Sequence, residues 1–162
     1  MYRDPASNPI MTKSIVKDRV LFVCEHNSAR SQMAEALLNH IAGDKFVAES
    51  AGLEAGKLNA LAVEAMERIG IDISHKKPRD VFELFLKGHR YNYVITVCDE
   101  ATRERCPIFP GAAKRINWSF ADPSRLEGNY DERLLKTIEI RDQIEAKIRD
   151  WVTHVAFASS KS

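Results

Sequence analysis

The sequence predicts an α/β fold of three layers, a central, mostly parallel four-stranded sheet flanked by helices, and three observations carry that expectation. Short apolar runs rich in β-branched and aromatic residues recur at Val20–Val23, Lys45–Ala51, Tyr91–Cys98 and Lys114–Trp118. Between them lie stretches of strong helix formers with apolar residues three and four apart. Strand, helix, strand, helix in that order implies parallel pairing with crossover helices. The third observation is size: 162 residues, 44% of them hydrophobic, suit one domain with a core that needs no staples.

Each element follows in turn. Residues 1–18 are polar, charged and proline-containing without a period, and read as a flexible N-terminal extension. A single α/β domain then runs over 19–156. Its first strand, Val20–Val23, passes through a tight loop into a helix from Ser31 to about His40, stopped near Gly43. The second strand closes at Gly52, and Leu58–Ile69 has helical periodicity before Gly70. Ile71–Arg79 reads as a connector and Val81–Leu86 as a short helix ending near Gly88. After the third strand, Asp99–Arg105 reads as a hydrophilic, mobile loop; Pro107 and Pro110-Gly111 then break the chain before the fourth strand. Tyr130–His154 places Leu134, Ile138, Ile144, Ile148 and Trp151 mostly at helical spacing, so a long amphipathic helix should cover one sheet face. Residues 157–162 read as a flexible polar tail.

Charge and composition exclude several classes. With 24 basic and 23 acidic residues the net charge is +1, which supplies no global field for nucleic acid or an anionic membrane. No apolar run reaches a membrane span and the first nine residues lack the apolar centre of a secretory signal, so the expected location is cytoplasmic. Three cysteines are too few for a disulfide framework and are expected as thiols.

The chemistry gathers where the first strand hands over to the first helix, in Cys24-Glu25-His26-Asn27-Ser28-Ala29-Arg30-Ser31. A loop there aims successive N–H groups and the positive end of a helix dipole at one point, where tetrahedral oxyanions bind. Glu25, His26, Asn27, Ser28, Ala29 and Arg30 would form the cradle, and the Arg30 fork can hold two anion oxygens. Cys24 in that field should be a thiolate nucleophile, with Ser31 donating to the sulfur. Asn27 suits a left-handed position in such a nest, and Glu25 sets a carboxylate beside the anion unless its side chain turns to solvent. Cys98 and Cys106, with seven mostly polar residues between them, suggest a redox pair whose loop can rearrange.

The segment Cys24–Ser31 resembles the phosphate-binding loop of the low-molecular-weight protein tyrosine phosphatase superfamily, which includes a branch of arsenate reductases. Val97–Gly111 and Trp118–Gly128 sharpen the likeness to the reductases recycled by thioredoxin, and the tyrosines that the phosphatases present after Asp-Pro are here Ser124 and Arg125. The resemblance implies that arsenate is attacked by Cys24, that Asp122 protonates the leaving oxygen, and that Cys98 and then Cys106 take over the disulfide. It implies thioredoxin as the reducing partner, or alternatively glutaredoxin with glutathione, and weak activity on phosphate. No tightly bound cofactor is implied beyond a potassium ion at Asn27, Glu35, Ser50 and Asp72. Two other readings stay open: a phosphatase hydrolysing phosphate monoesters through a phospho-cysteine, and a non-catalytic oxyanion-binding regulatory module.

Overall fold

The computed structural model describes residues 16–111 and 113–161. Its elements run β1 (Asp18–Cys24), α1 (Arg30–Ala42), β2 (Phe46–Gly52), α2 (Ala60–Glu67), α3 (Val81–Leu86), β3 (Tyr93–Thr96), α4 (Glu100–Arg105), β4 (Lys114–Asn117), a 3-10 turn (Pro123–Arg125) and α5 (Tyr130–Lys161). The four strands form one sheet in the order β2-β1-β3-β4, with every pair parallel. Most of the expected N-terminal extension, residues 1–15, lies outside the described residues, but Asp18 already belongs to β1, its N–H donating to Lys45 O at 3.1 Å.

A parallel sheet is covered on both faces, so its central strand must be apolar on both sides. Strand β1 meets that demand by alternation: Val20, Phe22 and Cys24 enter one cluster, Leu21 and Val23 the other. The first cluster is closed by Met33, Leu37 and Leu38 of α1 and by Ile140, Ile144 and Ile148 of α5. The second is closed by Val81 and Leu84 of α3 together with Tyr91, Cys106 and Phe109. Trp151 anchors α5 across the sheet, with its ring 5.0 Å from Tyr93, 5.2 Å from Phe46 and 6.1 Å from Trp118.

Two expectations need correcting. The segment Asp99–Arg105 is not a loop: Asp99 caps α4, its carboxylate accepting Thr102 N at 3.0 Å and Thr102 Oγ1 at 3.1 Å. The run of alternating charges conceals a short helix whose apolar support is slight. The polar end of the chain is also helical, since α5 continues through Lys161 without a proline or glycine to stop it.

Candidate active site

At the carboxyl end of β1 the chain turns through residues 25–29 into α1, and the direction of its peptide groups follows from what holds the carbonyls. Cys24 O, Glu25 O, His26 O and Ser28 O accept the N–H groups of Leu53, Glu54, Gly56 and Asn59 at 2.9 to 3.1 Å. A trans peptide points its N–H opposite to its carbonyl, so tethering the carbonyls outward turns the following N–H groups inward. The close approach needs Gly52, where a Cβ would lie 2.6 Å from Asn27 N and 2.7 Å from the His26 carbonyl carbon. Among the described residues Asn27 is the one non-glycine with positive φ, at 55°.

Asn27 is fully buried and links the loop to its surroundings. Its N–H donates to Cys24 Sγ at 3.1 Å and its Nδ2 to Ser31 Oγ at 2.7 Å, while Oδ1 accepts Gln32 Nε2 at 3.1 Å and Arg79 N at 2.9 Å. Ser31 Oγ therefore has its proton free for Cys24 Sγ, 2.9 Å away. Ala29 at the N-cap of α1 offers no side-chain acceptor, which leaves the first helical N–H groups to an anion.

Cys24 and Cys98 meet at this point. Both thiols are buried in one cluster, and the influence of Cys98, against the opposing effect of burial and with help from Ser31 and the Arg30 charge, lowers the Cys24 pKa to about 6. Cys98 shifts the other way, raised by Cys24 and by burial, so the pair shares one proton with the charge on Cys24. Cys106 is elsewhere. It lies in the cluster on the opposite face of the sheet, 4% exposed, and burial pushes its thiol up to about 11 despite Arg115. Arg115 also holds the end of α4, donating to Arg103 O at 2.8 Å.

The mouth beside Cys98 is a cavity of about 280 Å3 lined by Glu25, Arg30, Asp99, Phe120, Asp122 and Arg125 among others. Arg30 donates to Phe120 O at 3.1 Å and lies 3.3 Å from Asp122 Oδ2. Asp122 Oδ1 accepts Ser124 N and Ser124 Oγ at 2.9 and 2.8 Å, capping the 3-10 turn that Pro123 opens. Arg125, with 80% of its side chain exposed, stands 3.8 Å from Asp122 at the rim. Glu25 is among the residues lining the mouth; its side chain is partly exposed, with the carboxylate 4.0 Å from His26 Nε2.

The structure thus brings together Cys24, the loop 25–30, Ser31, Cys98 and Asp122, and leaves Cys106 apart. The four residues expected around potassium do not fit that ion. Ser50 Oγ donates to Glu35 Oε1 at 2.7 Å, but the other Glu35 oxygen is paired with the Lys76 ammonium, Asn27 Oδ1 is taken by Gln32 and Arg79, and Asp72 is exposed, accepting Ser74 N and Oγ. Among the described residues no group of three or more His, Cys, Asp or Glu side chains is placed to hold a metal. Sequence reasoning missed Gln32, Arg79 and the Phe120 carbonyl. Gln32, Glu35 and Asn39 share one polar helix face beside the apolar one, and that spacing was the one visible signal.

A cysteine with a lowered pKa in a phosphate-type cradle, an Asp-Pro carboxylate at the mouth and a parallel α/β sheet together are the arrangement of the small phosphatase fold. Comparison with known proteins places it further. Residues 19–160 match the model of the low molecular weight phosphotyrosine protein phosphatase family. An arsenate reductase of Shouchella clausii is 40% identical over 135 residues, 83% of this chain and 95% of that protein. Among solved structures, a thioredoxin-dependent arsenate reductase of Corynebacterium glutamicum superposes with a TM-score of 0.67 at 28% identity, covering 94% of this chain and 72% of that one. A low molecular weight protein tyrosine phosphatase of T. tengcongensis gives 0.69 at 25% identity, covering 85% and 99%. The chain belongs to the low molecular weight phosphotyrosine protein phosphatase family, on its arsenate reductase branch.

Proposed function

We propose that this protein reduces arsenate to arsenite by a three-cysteine relay, and the observation that carries the reading is the second thiol, Cys98, buried in the same cluster as the nucleophile and lining the mouth with Arg30 and Asp122. A phosphoryl-transfer enzyme has no use for a thiol there, because water completes its cycle. Arsenate sits against the 25–30 amides and the Arg30 fork. The Cys24 thiolate, at pH 7 favoured over the thiol by about ten to one, forms a bond to arsenic as an oxygen leaves with a proton from Asp122. Cys98, losing its proton, then forms a bond to the Cys24 sulfur. The sulfur–arsenic bond breaks and its electron pair stays on arsenic, so arsenite departs and the two sulfurs hold a disulfide.

Cys106 next attacks Cys98 and releases Cys24. That step needs movement, since Cys106 is packed beneath the sheet and held by α4; a helix of six residues with one buried side chain, Thr102, is the element that can open. The Cys98–Cys106 disulfide is returned to thiols by an external dithiol protein of the thioredoxin kind, the reductant on which the Corynebacterium glutamicum relative depends. Such a cycle suits a reducing, cytoplasmic compartment; no helix among the described residues is long and apolar enough to cross a membrane. The first half of the cycle also supports weak hydrolysis of phosphate esters, with water replacing Cys98.

Single-turnover reaction of the reduced protein with arsenate, quenched by acid and mapped by mass spectrometry, tests the reading. One arsenite and one disulfide per chain are expected, and in Cys106→Ser that disulfide joins Cys24 to Cys98. Arsenite released with Cys98 still a free thiol contradicts it.

A further inference from the structure

We infer that Lys76 is the resident cation of the pocket behind the catalytic loop, a positioning residue that takes the place of a dissociable monovalent ion. Glu35 projects from α1 with only 6% of its side chain exposed, and a buried carboxylate is tolerated only when paired and fully hydrogen-bonded. Both oxygens are engaged, one by Ser50 Oγ on β2 and the other by the Lys76 ammonium from the 71–79 connector. One carboxylate thereby fastens a helix, a strand and the connector together.

The connector reaches the catalytic loop. Three residues beyond Lys76, Arg79 N donates to Asn27 Oδ1 at 2.9 Å and Arg79 O accepts Gly52 N at 2.8 Å, while Arg79 Nε donates to Ser50 O at 3.3 Å. Asn27 is the residue whose left-handed backbone brings an N–H to Cys24 Sγ. Lys76 thus holds in register the segment that holds Asn27. A tethered charge has no dissociation constant to satisfy, so loop geometry becomes independent of the potassium concentration.

The surroundings also show what would follow if the ammonium were removed. Glu35, Ser50, Lys76 and Gln32 line one cavity of about 490 Å3, and Gln32 Oε1 is buried without a hydrogen-bond partner among the described residues. Without Lys76, the pocket offers a carboxylate, a hydroxyl and an unpartnered carbonyl oxygen, a hard-oxygen set suited to a potassium ion. The inference rests on the loop being the catalytic one, but its test reads folding and amide protection, so failure of the reductase reading leaves the test intact.

The test compares the full-length wild type, Lys76→Met and Lys76→Arg in tetramethylammonium chloride and in potassium chloride at equal ionic strength, by thermal unfolding and by hydrogen exchange of residues 24–30. Wild type is expected to have the same Tm and protection in both salts. Lys76→Met should lose roughly 5 to 10 °C in tetramethylammonium and exchange its loop amides roughly tenfold faster, with potassium restoring much of both. Lys76→Arg should keep a cation on Glu35 and behave as wild type. Potassium-specific stabilisation of the wild type overturns the inference, and it is readable even if Lys76→Met does not fold. Lys76→Met with unchanged Tm and protection, or a loss that potassium does not reverse, also overturns it.

Discussion

Ser31→Ala removes the hydroxyl that bridges Asn27 Nδ2 and Cys24 Sγ, at 2.7 and 2.9 Å, without enlarging the side chain. A hydrogen bond to a charged group contributes about 1.5–3 kcal/mol, and one pKa unit corresponds to about 1.4 kcal/mol. Ser31 is one of several groups stabilising the thiolate, with Cys98 the largest, so the lower end of that range applies. Cys24 should therefore rise from about 6 to about 7 or slightly above. The sign follows from the charge: the lost donor favoured the anion, so the ionisation moves up and the thiolate is lost at higher pH. The assay is iodoacetamide alkylation mapped to the Cys24 peptide across pH. At pH 6 the rate should fall about five- to tenfold, shrinking to about twofold near pH 7 and vanishing above pH 8.5, apart from a small rise in intrinsic nucleophilicity. An unmoved pH profile would refute the assignment of Ser31 as a donor to the thiolate.

Two further outcomes follow from the same geometry. Gly52→Ala drives a methyl to 2.6 Å from Asn27 N, so the loop must shift; a loss of about 2 kcal/mol of stability by urea unfolding should accompany slowed Cys24 alkylation. Asp122→Asn keeps the cap to Ser124 but removes the group proposed to deliver a proton to the leaving oxygen; kcat should fall on the order of a hundredfold or more in steady-state arsenate reduction, while Cys24 alkylation stays near wild type.

How far the sequence carried the site depends on how local each cause was. Cys24, Arg30 and Ser31 lie within one strand-to-helix turn, and their placement at one point was legible from neighbours in the chain. Strand β3 came out shorter than Tyr91–Cys98 because the apolar run continues past the ladder: Tyr91 packs its ring 5.2 Å from Phe109, and Val97 enters the α1-side core. Helix α4 was missed although Asp99 and Thr102 stand at capping spacing, since a charged run without an apolar face has no period to read. The Cys98–Cys106 pair looked adjacent in sequence, yet the sheet lies between their clusters, a separation that spacing cannot reveal. The pocket at Glu35 was the least legible. Its partner Lys76 is 41 residues away, and Asp72 satisfies itself locally with Ser74 instead of reaching inward.

The relay is tested most directly by arsenate-dependent oxidation of NADPH through thioredoxin reductase and thioredoxin, comparing wild type with Cys24→Ser, Cys98→Ser and Cys106→Ser. The account predicts turnover by the wild type alone, with Cys106→Ser still releasing one arsenite per chain before it stalls. Sustained turnover in Cys98→Ser, or a wild type inactive with thioredoxin and with a glutaredoxin–glutathione system yet hydrolysing an aryl phosphate through Cys24, would contradict it.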